Sequence, residues 1–248
     1  MTLPVSPSWS HLKLSQDGDR AQLAAHFKAS GVRDVECLFA DVTGYPRGKL
    51  MPAASFAAGG ELRICQAIPM QCVTGEYSYD PVFPDSDPDV RLVPDLATLK
   101  RSPWASVPRY LAVHDAYEMD GSLCTFAPRS VLKNVVARYA AAGLTPVVAV
   151  ELEFYLCDIE DGRPVPARGM ITGHRSTDIQ VYGLREMEDL QPFFDELYSA
   201  CDAQDIPIES GISEYAPGQF EFTLRHKPDA LRATDDAIMY KRVVKAVA

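Results

Sequence analysis

Four glutamates sit in two short, otherwise apolar segments of this chain. Glu151 and Glu153 lie in Val148-Ala149-Val150-Glu151-Leu152-Glu153-Phe154-Tyr155-Leu156, and Glu214 and Glu221 bracket Glu214-Tyr215-Ala216-Pro217-Gly218-Gln219-Phe220-Glu221. A carboxylate embedded in an apolar strand is costly unless its charge is compensated, and a divalent cation bound through oxygen is the simplest compensation. Two residues apart in a strand, Glu151 and Glu153 share one face. Glu214 and Glu221 are seven apart, a spacing that would put them on opposite faces of one straight strand. The Pro217-Gly218 turn between them resets the direction, so both can converge on one site, with Phe220 and Phe222 facing away from Glu221. Without metal, four converging carboxylates would repel and raise one another's pKa; with Mg²⁺ or Mn²⁺ they could bridge ATP phosphates. The competing reading is a strand face whose glutamates are simply solvated. The aromatic and valine-rich setting weighs against it.

The rest of the composition narrows the class. The chain has 248 residues, 47% of them hydrophobic, with a formal net charge of −10. That supports a substantial core and argues against disorder. Without a Lys/Arg run or basic face, nucleic acid is excluded as a partner. No stretch approaches the ~18 apolar residues that cross a membrane, and Met1 to Arg20 lacks a signal-type apolar run, so the expected location is cytoplasmic. Six cysteines (Cys37, Cys65, Cys72, Cys124, Cys157, Cys201) show no CxxC spacing and read as free thiols, several of them buried.

The elements that must position the glutamates follow from periodicity. Met1 to Asp19 reads as a loose leader, and Arg20 to Ala29 as a helix stopping at Gly31. Asp34 to Asp41 reads as a strand leading into the turn Val42 to Lys49 and a return through Leu50 and Met51, a hairpin. Pro81 to Asp89 is loop by composition, with strands expected at Val90–Val93 and Tyr110–Asp115. A boundary is expected between Ala116 and Thr125, giving a leader (1–19), an N-terminal domain (20–118) and the start of a second domain (119–248). A helix from Pro128 to Gly143 should bury Val131, Leu132, Val135, Val136 and Tyr139. Asp161 to Arg175 reads as a loop, Pro192 to Gln204 as a helix, and about Pro228 onward as a last helix. The last helix carries an apolar stripe of Tyr240, Val243, Val244 and Val247. The chain stops in mid-helix, which suggests a fragment whose missing element would cover that stripe.

Several segments together resemble the glutamine synthetase family. Glu151 to Leu156 looks like its metal-binding strand, and Glu214 to Glu221 like the next metal-binding segment. Asp41-Val42-Thr43-Gly44-Tyr45-Pro46-Arg47-Gly48-Lys49 resembles its D-x-x-G-x-x-R-G-K hairpin, and Leu92 to Leu96 with Pro103-Trp104 its L-x-P-D…P-W stretch. The motifs occur in the family's order. Phe154-Tyr155-Leu156, Ser176-Thr177 and Gln180-Val181-Tyr182 are most similar to the γ-glutamyl-polyamine synthetase branch. The resemblance implies an α+β protein, with a β-grasp-like N-terminal domain followed by part of an antiparallel catalytic sheet with helices. It implies ATP-dependent activation of a glutamate side-chain carboxylate as an acyl phosphate, then attack by an amine, in a ring-shaped homo-oligomer. On it Glu153, Glu214 and Glu221 would hold one Mg²⁺ or Mn²⁺, and Glu151 a second that meets ATP.

Two departures bear on that expectation. The family supplies its metal-binding His and its substrate- and phosphate-contacting arginines from a region after Ala248, so no catalytic residue is assigned, and His174 and His226 do not stand in for them. Ammonia-using members carry an Asp-Gly-Ser loop where this chain reads Met70 to Tyr77 without the acid, which favours a bulkier amine such as a polyamine over ammonia. Arg47 and Lys49 could reach a phosphate or a neighbouring subunit, but read better as hairpin-surface charges. Gly59-Gly60 lacks the setting of a phosphate loop, and no Gly-x-Ser-x-Gly elbow occurs. Two alternatives stand beside the ligase: an inactive truncated or regulatory subunit that docks into a ring, and a metal-dependent phosphohydrolase. On either ligase or docking view the 248 residues alone should be inactive.

Overall fold

A computed structural model describes residues 7–15, 17–76 and 87–248. Most of the expected Pro-rich loop, the first six residues of the leader, and Tyr77 lie outside these. The chain forms two compact units that divide between Thr145 and Pro146. Among the described residues no helix is long and apolar enough to cross a membrane.

The first unit contains α1 (Asp17–Ala29), β1 (Asp34–Ala40), β2 (Pro46–Pro52), α2 (Ala53–Ala57), β3 (Leu62–Cys65), β4 (Asp89–Pro94), β5 (Lys100–Arg101), β6 (Arg109–Tyr117) and α3 (Pro128–Ala141). The strand order is β2-β1-β6-β4-β3, with β5 joined to β6. β1 and β6 run parallel and the other pairs antiparallel, the mixed sheet of a β-grasp-like domain. α1 begins with Asp17 and Asp19, which suit the positive end of a helix, and buries Leu23 and Phe27 against Val35, Phe39, Phe56 and Tyr110.

The expected hairpin forms between β1 and β2, and its motif residues are structural. Asp41 is 1% exposed. Its Oδ1 accepts from the Thr43 N–H (2.9 Å), the Thr43 hydroxyl (2.7 Å) and the Tyr45 N–H (2.9 Å). Its Oδ2 accepts from Arg47 Nε at 2.6 Å. Arg47 is therefore mostly enclosed instead of a surface charge, and its Nη2 also donates to the Cys72 carbonyl. Lys49 is exposed and donates to the Arg63 carbonyl at 2.7 Å. Gly48 is required sterically, because a Cβ there would lie 1.9 Å from the Cys37 carbonyl oxygen.

α3 differs from expectation in what it buries. Val131, Val135 and Tyr139 are 50%, 41% and 43% exposed, and Ser130 is the helix's one buried residue. Charges hold the helix instead. Arg129 donates to Asp95 at 2.7 Å and to Asp115, and Lys133 donates to Asp115. Helical periodicity locates an apolar face, but not whether anything covers it.

His114 of β6 is 3% exposed and pairs through Nδ1 with the Ala112 carbonyl at 2.9 Å. Burial lowers its pKa from 6.5 to about 4, opposed only in part by that carbonyl and by Asp115. Between those values the unfolded chain binds more protons than the folded one. The stabilisation is thus complete above pH 6.5 and is lost as the pH falls to about 4. The gap corresponds to about 3 kcal/mol. Urea titrations from pH 7 to 4 should show the first unit weakening by about that amount, and His114→Gln should flatten the profile.

The second unit contains β7 (Glu151–Tyr155), β8 (Cys157–Glu160), β9 (Arg163–Pro166), α4 (Leu184–Asp189), α5 (Gln191–Asp202), β10 (Ile208–Ser213), β11 (Gln219–Leu224) and α6 (Ala230–Val247). β10, β11 and β7 form an antiparallel sheet in that order, and β8 pairs with β9. The β8–β9 hairpin occupies part of the stretch expected as loop. Its Asp161-Gly162 turn, both residues at positive φ, is a two-residue hairpin signal. Phe154, Phe220 and Phe222 pack with Phe193 and Phe194 of α5 and with Tyr240 of α6. The α6 stripe is covered within the chain: Tyr240, Val243 and Val244 are 1%, 0% and 8% exposed. The expectation that a missing element covers it is corrected, because α5 and the sheet do so. All six cysteines are free thiols, with Cys37, Cys124 and Cys201 buried.

Candidate metal centre

Strand register decides whether the four carboxylates meet. β11 pairs with β7 so that Glu221 lies directly opposite Glu153, and Thr223 opposite Glu151. The three glutamates therefore share one face, with Leu152, Phe154, Phe220 and Phe222 on the other. The turn brings in the fourth. The Glu214 N–H donates to the Gln219 carbonyl at 2.9 Å, continuing the β10–β11 ladder. Glu214 is thus opposite Gln219, on the side of Glu221. Gly218 makes this turn possible: its φ is +78°, and a Cβ there would lie 2.9 Å from the Leu156 carbonyl oxygen. The Leu156 N–H in turn donates to the Gly218 carbonyl at 2.8 Å, tying the turn to the end of β7.

The carboxylates feel one another. The pKa of Glu221 is raised, first by burial, then by the charges of Glu151, Glu214 and Glu153. Glu151 and Glu153 are exposed, whereas Glu214 and Glu221 are half-buried over the phenylalanine floor. Like charges directly across a strand pair destabilise it, so the face is built at a cost. A neutral amide offsets part of that cost: Gln219 Nε2 donates to Glu153 Oε2 at 2.6 Å. Glu214 Oε2 accepts from the Tyr215 N–H at 3.1 Å. Among the described residues no three His, Cys, Asp or Glu side chains are drawn into one ligand shell. Glu153 and Glu214 meet the donors named above, and Glu214 also interacts with Glu221 through its side chain. An all-oxygen donor set of this kind fits a hard cation such as Mg²⁺ or Mn²⁺.

Beside the Glu214 end lies a cavity of about 490 Å³, lined in part by His174, Arg175, Gln180, Gly183, Ser213 and Glu214. His174 and His226 are both exposed. The sequence reading gave Gln219 no role, although it stands two residues before Glu221 and so on the same face. Ser213 carried no sequence signal, since only the fold surrounds it.

The second half of the chain, residues 125–248, matches the family described as glutamine synthetase, catalytic domain. The chain belongs to the glutamine synthetase family. It is 30% identical over 229 residues to the γ-glutamylputrescine synthetase PuuA of Escherichia coli, covering 86% of this chain and 47% of that protein. It is 27% identical over 234 residues to a γ-glutamylpolyamine synthetase of Streptomyces coelicolor, covering 91% and 47%. A solved structure described as a novel glutamine synthase homolog superposes with a TM-score of 0.73 at 26% identity, covering 88% of this chain and 49% of the other. The chain spans about half the length of these glutamine synthetase relatives. Its mixed α+β architecture is the family's, and the sequence motifs and the fold agree on that membership.

Proposed function

We propose that this chain carries the phosphate-handling sheet of an ATP-dependent ligase that joins the side-chain carboxyl of glutamate to an amine. The acceptor is a polyamine or another primary amine and not ammonia. One observation carries the reading: Glu151, Glu153 and Glu221 share a sheet face, and the Glu214 N–H to Gln219 carbonyl bond brings Glu214 to the same side. The putrescine and polyamine synthetases among its relatives support the acceptor class, as does a Met70 to Tyr77 segment that reads Thr74-Gly75-Glu76 in place of Asp-Gly-Ser.

In this reading Glu153, Glu214 and Glu221 hold one divalent cation on the glutamate side, and Glu151 a second on the ATP side. Bound there, Mg²⁺ or Mn²⁺ would neutralise the charge that spreads over a transferring phosphoryl group. The chain's own residues do the positioning. Paired strands fix the carboxylate spacing, the Gln219 amide orients Glu153, and the phenylalanine floor keeps water from beneath the site. The glutamate carboxylate would take the terminal phosphoryl group of ATP, releasing ADP. The amine would then attack the acyl carbon and displace phosphate. The proposed domain division after residue 118 lies near the start of the family match at 125.

The test is ADP release by the longest polypeptide the gene encodes, with Mg²⁺, glutamate and a panel of amines. Release that requires both glutamate and a polyamine is expected, and none with any amine would overturn the reading. Hydrolysis of simple phosphate esters without an amine would favour a phosphohydrolase. A second reading is a non-catalytic subunit that docks into a ring. Light scattering of the 248-residue chain would then show an assembly without ligase activity.

A further inference from the structure

The cavity beside Glu214 has one wall tied to a strand end by a single residue, through its hydroxyl and its backbone carbonyl. Ser213, the last residue of β10, is 3% exposed. Its Oγ accepts from the Gly183 N–H at 2.7 Å and donates to the Gln180 carbonyl at 2.6 Å. Its own carbonyl accepts from the Tyr182 N–H at 3.0 Å. The turn from Gln180 to Gly183 is thus strapped to the residue immediately before Glu214.

The turn is closed by the Gly183 N–H donating to the Gln180 carbonyl at 2.9 Å, and Ser213 Oγ meets both of those groups. Tyr182 has φ +58°, a left-handed conformation that disfavours a side chain with a Cβ. Residues held in such regions persist only where their surroundings over-determine them, and they concentrate at functional sites. The turn also has no slack at Gly183. A Cβ there would lie 2.1 Å from Glu186 Oε2 and 2.8 Å from the Gln180 carbonyl oxygen. Gln180 and Gly183 line the cavity together with Ser213 and Glu214.

We propose that Ser213 is a positioning residue. Its hydroxyl helps hold the Gln180–Gly183 turn beside Glu214, on the proposed glutamate side of the site, and so sets which primary amines reach the acyl carbon through the cavity that the turn and Glu214 line. The functional half of this statement rests on the ligase reading. The structural half, that the Ser213 hydroxyl strengthens a coupling between the turn and the strand end carrying Glu214, does not.

Two measurements separate the halves. The first is amide hydrogen exchange on the 248-residue chain, which needs no activity. Ser213→Ala should speed exchange about tenfold at Gly183, whose N–H loses the hydroxyl and keeps only the Gln180 carbonyl, and less at Tyr182, whose acceptor is the backbone carbonyl that alanine retains. Exchange across β11 and α5 should change less than about twofold, since their ladders are untouched. Unchanged exchange at the turn, or an equal rise throughout the unit, would overturn the coupling. The second measurement is steady-state kinetics on the longest encoded polypeptide. Ser213→Ala should raise the KM for 1,4-diaminobutane about tenfold, and the KM for ATP by less than about twofold, the pattern of a group that acts through acceptor binding. Ser213→Thr, which keeps the hydroxyl, should restore most of the difference. Equal changes in both KM values, or no rescue by threonine, would overturn the acceptor role. If the wild-type polypeptide makes no amide at all, the ligase reading falls and the exchange result still decides whether Ser213 couples turn and strand.

Discussion

Replacing Glu153 by glutamine is expected to lower the affinity of this chain for Mn²⁺ by about tenfold or more. Loss of a group that only supports a metal ligand typically costs 10–100-fold, and loss of a ligand should cost at least as much. Glu153 stands opposite Glu221 in the β7–β11 pair and accepts from Gln219, so its removal breaks the set at its centre. The same substitution should leave the metal-free chain as stable or slightly more so. It replaces a cross-strand repulsion by an uncharged amide facing Glu221, a change of about 0.2–1 kcal/mol. Calorimetric titration with Mn²⁺ and thermal melts with and without the ion measure both effects. The fall in Mn²⁺ affinity distinguishes a cation site from a solvated strand face, where the substitution would leave Mn²⁺ binding unchanged. Gln219→Ala should weaken Mn²⁺ binding less than Glu153→Gln, because the amide orients a ligand without being one.

Asp41→Ala should destabilise the first unit by about 3–5 kcal/mol, because removing one member of an enclosed ion pair strands the other. Arg47 would keep the Cys72 carbonyl and the Tyr45 ring but no counter-charge, and the Thr43 and Tyr45 donors would lose their acceptor. Against a domain stability of about 5–15 kcal/mol that approaches unfolding. Burial by itself would raise the Asp41 pKa, but hydrogen bonds from Thr43, Tyr45 and Arg47 outweigh it and hold the pKa below the usual 3.8. The stabilisation is therefore present above pH 3.8 and lost as the pH falls through the lower folded value. Denaturant titrations of Asp41→Ala, Arg47→Met and the double variant close a cycle. The double variant should be markedly more stable than the sum of the single losses implies. Strict additivity would show that the two side chains do not act as a pair.

How far the sequence could be read depended on the range of the interaction. The D-x-x-G-x-x-R-G-K hairpin was legible because its determinants lie within nine residues. What was not legible was that Arg47 turns inward, since its second partner, Cys72, is supplied by a distant part of the chain. The β8–β9 hairpin was missed although Asp161-Gly162 is a local signal, because the flanking Arg and Pro residues masked the strand pattern.

The amino-acid sequence by itself determined the family, the alternation that sends phenylalanines one way and glutamates the other, and the Pro217-Gly218 turn that lets Glu214 join them. These are short-range properties of strand period and turn chemistry. Tertiary structure alone decided that Glu221 stands opposite Glu153, because register is set by the pairing of segments some sixty residues apart, as the Gln219–Glu153 contact illustrates with a separation of 66. It also decided that the α6 stripe is buried while the α3 face is exposed. Both helices carry apolar periodicity; only what packs against a helix determines which face leaves water.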